Sequence, residues 1–335
     1  MLILSRRDVR TVLDGAESAV GRTVRAAYVD HAERRTSVPH SVFLRFPDSP
    51  RNRIIALPAY VGGDRPVAAV KWVASFPGNL DRGVERASAA ILLNSVEDGR
   101  PVALLEGAVI SARRTAASAA LAADELTTAA APDVRTGVTL VGCGVINFDV
   151  LTFLRARMPQ LRDVVLHDLD PARARAFAER VGRARPGLRV RVDDDLDTAL
   201  AANRLVSLAT TAAEPHLGTA ACRPGTVILH LSLRDLTPES ILVATNVVDD
   251  ADHVCRAATS LELAERRSGD RSFITAEIGA VLAGRERVPY DPHAITVFSP
   301  FGLGALDAAL AAYVLDTAVQ HGLGVHMADF ADDPA

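Results

Sequence analysis

Val138-Thr139-Leu140-Val141-Gly142-Cys143-Gly144-Val145-Ile146-Asn147 decides the fold. An apolar, β-branched run meets a glycine pair, and residues with helical spacing follow from Phe148 to Arg157. In that setting the first glycine makes the tight turn. The second lets the backbone approach a pyrophosphate at a helix N-terminus, where unpaired N–H groups and the helix dipole favour anions. Gly142, Gly144, Val145, Ile146 and Asn147 are therefore the candidate phosphate contacts, with Asn147 standing where the commonest fingerprint has a third glycine. The next apolar run, Val164 to His167, ends at Asp168, 26 positions after Gly142. A carboxylate there accepts from both adenosine ribose hydroxyls and repels a 2'-phosphate, so NAD is the expected cofactor in preference to NADP. A turn-forming glycine pair with an Asp that caps the next helix would use the same residues. The order strand, loop, helix, strand and acid favours the nucleotide.

Outward from this loop, residues 136 to 301 alternate apolar strands with helical stretches. Strands are expected at Val138 to Val141, Val164 to His167, Leu188 to Val192, Leu205 to Ala209, Val227 to Leu231, Asn246 to Val248 and Ile295 to Phe298, with helices over Phe148 to Arg157, Ala172 to Val181 and Ala199 to Ala202. Such alternation writes an α/β fold, a Rossmann-type doubly wound parallel sheet. Arg189 and Arg191 interrupt one strand and mark it as an edge.

The flanking segments have another texture. Ser5 is a good N-cap for a first helix, and Ala16 to His31 reads as a second. Between Ser41 and Leu105 come five short aliphatic runs, Val42 to Phe46, Arg53 to Pro58, Val67 to Val73, Ala89 to Leu93 and Val102 to Leu105, with Asp98-Gly99 as a hairpin signal. They predict a mostly antiparallel sheet, followed by an alanine-rich helix over Ile110 to Asp124. Gly304 to His321 predicts a last apolar helix that packs back on the first domain or on a partner subunit, and the acidic tail from Met327 to Ala335 is expected to fray. The division expected is 1–125 with 303–335 as an α+β domain, to which the resemblance given below assigns substrate binding and dimerisation, and 126–302 as the NAD-binding domain.

Composition closes off other classes. Across 335 residues the net charge is -4 and aromatics are 4%, which supplies neither the electrostatic footprint nor the stacking surfaces of a nucleic-acid binder. No apolar run reaches membrane-spanning length, and the arginines near Met1 do not suit a signal peptide. Cys143, Cys222 and Cys255 form no CxxC pair, so a reducing cytoplasm is expected and neither a disulfide framework nor a metal site is indicated.

Lys71-Trp72-Val73, Ser111-Ala112-Arg113-Arg114-Thr115-Ala116-Ala117 and the glycine loop stand in the order seen in the ornithine cyclodeaminase/mu-crystallin superfamily, which the chain resembles. Pro39 to Pro47, Arg53 to Pro58, Lys71 to Asn79, Arg86 to Ala89 and His230 to Asp235 are similar to one branch, the dehydrogenases of L-2,3-diaminopropionate biosynthesis. The resemblance implies a Rossmann domain with a substrate and dimerisation domain around it, a homodimer, and oxidative cleavage of N-(2-amino-2-carboxyethyl)-L-glutamate with NAD in secondary metabolism. It implies that Arg45, Lys71 and Arg114 hold an amino-acid carboxylate and that Asp235 is the catalytic acid/base. It also implies that Thr210 and the stretch from Leu229 to Ser232 meet the ribose and nicotinamide end of the cofactor. Cyclodeaminases carry Gly-Gly-Asp before a lysine where this chain has Leu233-Arg234-Asp235, and a threonine near Arg86, which points away from ornithine as substrate. Other expectations on the same scaffold are a cyclodeaminase, a ketimine reductase, another amino-acid dehydrogenase, or a nucleotide-binding protein without catalysis.

The residues themselves support cation-rich recognition. A substrate with several carboxylates needs several fixed cations, and Arg45, Lys71, Arg86 and Arg114 can supply them if their strands converge. Lys71 lies inside an apolar run, and a buried lysine needs an anionic ligand or an acid. Asp235 follows a strand at its carboxyl end, where open α/β sheets place ligands, although it could instead cap a helix starting near Thr237. Lys71 is expected to assist Asp235 in catalysis. His40, His167, His216 and His230 are scattered singly, with no HxH or HExxH pattern, and read as structural.

Overall fold

The computed structural model describes residues 1–63, 65–328 and Phe330, so most of the acidic tail lies outside the described residues. Its contacts divide the chain into two units, Met1–Arg114 with the segment from Gly302 onward, and Thr115–Phe301.

In chain order, the first unit begins β1 (Leu2–Leu4), α1 (Arg6–Leu13), α2 (Glu17–Ala32), β2 (Thr36–Ser37), β3 (Val42–Phe46), β4 (Ser49–Val61), β5 (Val67–Ser75), β6 (Ala87–Asn94), β7 (Pro101–Glu106) and α3 (Gly107–Leu126). The second unit follows with β8 (Gly137–Val141), α4 (Val145–Arg157), β9 (Asp163–His167), α5 (Pro171–Ala184), β10 (Arg189–Val192), α6 (Leu196–Ala202), β11 (Leu205–Leu208) and β12 (Val227–His230). It continues through α7 (Pro238–Val243), β13 (Thr245–Val248), α8 (Ala251–Val254), α9 (Ser260–Ser268), β14 (Ile274–Glu277), α10 (Ile278–Leu282) and β15 (Thr296–Ser299). The chain then returns to the first unit with α11 (Gly304–Gln320) and β16 (Val325–His326).

The first unit is built on a sheet ordered β16-β1-β7-β6-β5-β4-β2, with β3 also paired to β4. Strands β3 to β7 are antiparallel neighbours, because short connections such as the turn at Gly99, with φ of 77°, can join only antiparallel strands. Opposed pairs share a face, so the register sorts the side chains. Arg53, Leu57, Lys71, Ser75 and Ile91 stand on one face; Val42, Leu44, Tyr60 and Trp72 stand on the other. Helix α11 packs on β4, β5 and β6 and against α2. Its expected docking on the first domain is thus met within one chain. Ser5 caps α1 in a reciprocal box with Asp8.

The second unit is a fully parallel sheet ordered β10-β9-β8-β11-β12-β15-β13-β14. Strand β10, interleaved with arginines, takes the edge. The order reverses between β8 and β11, and at such a switch point the loops diverge to leave room for a ligand. Two boundaries differ from the sequence reading. Helix α4 starts at Val145 instead of Phe148, because the glycine loop runs straight into it. The units divide inside α3 instead of after residue 125. Asp124, near the end of that helix, pairs with Arg135 and Arg157 of the second unit.

Candidate active site

Gly142 ends β8 with φ of +90°, and a Cβ there would lie 2.5 Å from the Ala209 carbonyl oxygen. Conformation and the close approach of β11 each demand glycine. Gly144 differs, because its backbone is extended and nothing lies within 4 Å of a Cβ built on it. No protein atom needs that glycine, which suits a position kept bare for something that approaches from outside. It is exposed and forms the N-cap of α4, which has no side-chain cap and no acid in its first turn. By contrast Asp170, Asp195, Thr237, Asp250 and Thr259 cap α5 to α9. The N–H groups of α4 are thus left for an external anion, and the loop fits a dinucleotide pyrophosphate.

Asn147 does not face outward with this loop. It is fully buried, its Nδ2 donates to the Val141 and Gly142 carbonyls at 2.9 and 2.7 Å, and its Oδ1 accepts from Ser207 Oγ at 2.7 Å. Its side chain holds the loop from beneath instead of reaching a ligand. Asp168, at the end of β9, accepts from the Cys143 N–H at 2.7 Å and the Asp170 N–H at 3.0 Å, with Arg173 at 3.8 Å. Asp170, not Asp168, caps the following helix. The Cys143 thiol is pushed up to about 12 by burial and by Asp168, so it is inert as a nucleophile.

Across the sheet, the ends of β11 and β12 carry a second polar cluster. Asp235 is completely buried, and each carboxylate oxygen takes a hydroxyl, one from Thr210 and one from Ser232. The Ser232 Oγ also lies 3.2 Å from the Thr210 N–H, which donates to it. His230 Nε2 sits 3.2 Å from the Asp235 N–H and 3.5 Å from its carboxylate, and Nδ1 meets Ser299 Oγ at 3.2 Å. Burial drives the Asp235 carboxyl upward, but His230 and the two hydroxyls outweigh it, and the group stays below the ordinary carboxylate range. It is a carboxylate at neutral pH, able to exchange a proton through either hydroxyl. Thr237, not Asp235, caps α7. The structure therefore brings Thr210, Ser232 and Asp235 together, and adds His230, which sequence reading left as a structural histidine.

The first unit holds the cations. Lys71 is 3% exposed and Asp307 1%, with Nζ to Oδ2 at 2.6 Å; Arg114 Nε reaches the other oxygen at 3.2 Å. Ser111 Oγ lies 3.2 Å from Lys71 Nζ. The acid implied by a buried lysine is thus Asp307, which sits on α11, 236 positions away. Two cations against one carboxylate leave a net positive charge in a buried place, suited to one ligand carboxylate. Burial, and secondarily Arg114, lowers the Lys71 pKa to about 8 although Asp307 opposes this. Gly302, φ +96°, makes the room, since a Cβ there would be 2.7 Å from Arg114 Nη1.

Arg45 and Arg86 are not in this group. Arg45 stands opposite Arg53, its guanidinium 5.5 Å from the Phe43 ring centre, and Arg86 Nη1 donates to Ser75 Oγ at 3.2 Å. Sequence reading missed Asp307, Gly302, Ser111 and Arg53, each of which acquires its part only through strand register or helix packing. Among the described residues no group of His, Cys, Asp and Glu is arranged to hold a metal, and no helix is long and apolar enough to cross a membrane.

Whole-chain comparisons agree with this geometry. The chain is 26% identical to the N-((2S)-2-amino-2-carboxyethyl)-L-glutamate dehydrogenase of Staphylococcus aureus over 97% of each sequence. Its fold matches the Delta(1)-pyrroline-2-carboxylate reductase of Thermococcus litoralis, solved with NADH and L-proline, with a TM-score of 0.90, 27% identity and coverage of 98% and 100% of the two chains. It also matches an archaeal alanine dehydrogenase dimer with bound NAD, with a TM-score of 0.87, 25% identity and coverage of 98% and 99%. The sequence profile of the ornithine cyclodeaminase/mu-crystallin family matches residues 2–322, and the chain belongs to that family.

Proposed function

We propose that the protein is an NAD-dependent oxidoreductase that cleaves N-(2-amino-2-carboxyethyl)-L-glutamate to 2-oxoglutarate and L-2,3-diaminopropionate. The observation that carries this reading is the surplus of fixed cations: one buried pair that exceeds its acid by a charge, and a separate arginine group, Arg45, Arg53 and Arg86, that no carboxylate among the described residues pairs with. Bound NAD+ would accept the hydride from the glutamate α-carbon, and the remaining steps fall to the chain. The uncapped N-terminus of α4 binds the pyrophosphate, while Asp168 takes the adenosine ribose and selects NAD. Lys71 and Arg114 hold one substrate carboxylate. With the substrate amine bound neutral, Asp235 takes a proton, by way of Thr210 or Ser232, from the water that adds to the iminium carbon, gives it to the nitrogen, and takes up the carbinolamine hydroxyl proton as the C–N bond breaks, to be lost to solvent. The carbinolamine collapses, its C–N bond breaks, and the nitrogen leaves as the primary amine.

Likeness to the reductase and the alanine dehydrogenase supports a second reading, turnover of an amino acid with one carboxylate. The exposed apolar face formed by Val42, Leu44, Tyr60 and Trp72 supports a homodimer, and three free cysteines suit the cytoplasm. Supplying the purified enzyme with NAD+ and, in turn, the secondary amine, alanine, proline and ornithine decides among these, read by NADH absorbance and product mass. Net NADH with 2-oxoglutarate from the secondary amine alone is expected; NADH from alanine or proline alone would establish the second reading. Asp235→Asn should keep NAD affinity and lower turnover by roughly 10²–10⁴-fold.

A further inference from the structure

Arg53 is the cation that the structure singles out beyond those expected from sequence. It stands on β4 directly opposite Arg45 of β3 and Ser75 of β5, and Ser75 is opposite Ala87 of β6. Arg45, Arg53 and Ser75 therefore form one row on one face, and Arg86 turns its guanidinium into that row to reach Ser75 at 3.2 Å. Arg53 Nε is buried and makes no hydrogen bond. Among the described residues no carboxylate pairs with Arg45, Arg53 or Arg86. Like charges directly opposed weaken a sheet, and a buried donor left unsatisfied costs further stability. Burial and the adjacent guanidinium each lower the pKa of Arg53 and of Arg86, as expected of cations crowded without an acid. The fold gains nothing visible from keeping three guanidinium groups in this state.

Lys71 lies on the same face of β5, four residues from Ser75, so the two rows are about 13 Å apart at the backbone. Both rows stand on the same face of the sheet, and a single substrate with widely separated carboxylates could meet long side chains from each. Guanidinium forks match carboxylates bidentately, which a lysine cannot do.

We propose that Arg53, together with Arg86 and Arg45, binds a second substrate carboxylate apart from the one held at Lys71 and Arg114, and that Arg53 selects substrates bearing a distal carboxylate. The inference rests on the multi-carboxylate reading above and assigns its selectivity to a particular residue. An amino acid with one carboxylate would fill only the Lys71 end and leave the arginine row uncompensated.

The test compares 2-oxoglutarate with 2-oxovalerate, which lacks the distal carboxylate, by calorimetric titration of the full-length enzyme with NAD bound. Wild type should bind 2-oxoglutarate at least about tenfold more tightly, and Arg53→Gln should weaken that binding by roughly tenfold to a hundredfold while leaving 2-oxovalerate unchanged. Arg53→Lys should recover only part, since it restores charge without the fork, and a cooperative thermal transition no lower than that of wild type shows that the variants are folded. In turnover of N-(2-amino-2-carboxyethyl)-L-glutamate, Arg53→Gln should raise KM for that substrate with kcat and the KM for NAD unchanged. Turnover of this substrate with the same KM in wild type and Arg53→Gln would sink the subsite and leave the proposed reaction standing. Absence of turnover, with a preference for 2-oxoglutarate that Arg53→Gln abolishes, would keep the subsite and remove the substrate. Equal binding of the two oxo acids by wild type overturns the proposal outright.

Discussion

Two groups of cations gather beside one sheet, and among the described residues only one of them meets an acid of the chain itself. Lys71 and Arg114 close on Asp307, buried at 1% exposure, whereas among the described residues Arg86 reaches a serine hydroxyl, Arg45 lies over an aromatic ring, and no carboxylate pairs with Arg45, Arg53 or Arg86. On the proposed reading, the difference separates a site that must exist before a ligand arrives from one that a ligand completes. A buried lysine cannot wait for its counter-ion, because the folded chain would carry the desolvation penalty until binding occurred. Partly solvated guanidinium groups can wait.

Asp307→Asn tests the side that holds the acid and should have the largest effect. It leaves two buried cations without their anion, and unfolding in denaturant should show a loss of about 3–5 kcal/mol. Removing a cation from the other group should behave oppositely. Arg86→Ala relieves repulsion as it deletes a bond to Ser75, so stability should change by less than about 1 kcal/mol, while KM for the proposed tricarboxylate substrate should rise roughly tenfold or more and KM for NAD should not. A large stability loss in Arg86→Ala would erase the distinction between the groups.

A gentler probe is pH. With Lys71 titrating at about 8, deprotonation removes the surplus charge that holds a carboxylate, so kcat/KM should fall about tenfold per unit above that value. Lys71→Arg should flatten this limb. Stability moves the other way. The folded-state pKa lies below the ordinary lysine value of 10.5 that the unfolded chain would show, so between the two the unfolded chain binds more protons and this group's contribution to stability grows with pH. Parallel movement of binding and stability in this range would exclude Lys71 as the titrating group.

What could be read from sequence was whatever sits close together along the chain. The glycine loop, Asp168 and the β8-to-β12 rhythm are local, and strands buried on both faces announce themselves as unbroken apolar runs. Asp307 was invisible as the partner of Lys71, since only the packing of α11 on β5 brings them together. Arg53 was quoted as part of a similar stretch but passed over as a ligand, because its meaning depends on register with Arg45 and Ser75. The short elements α8 to α10 and β14 were missed for another reason. At four to nine residues they are too brief for periodicity to declare itself.

Asn147 carries a consequence for the thermodynamics of cofactor capture. By tying the carbonyls of Val141 and Gly142 to Ser207 of the neighbouring strand, it freezes the turn during folding. The conformational entropy that a looser glycine-rich loop would surrender on binding has already been given up when the chain folds. An additional glycine at position 147 would complete the commoner motif and, by releasing that staple, make the loop a poorer receiver of a dinucleotide.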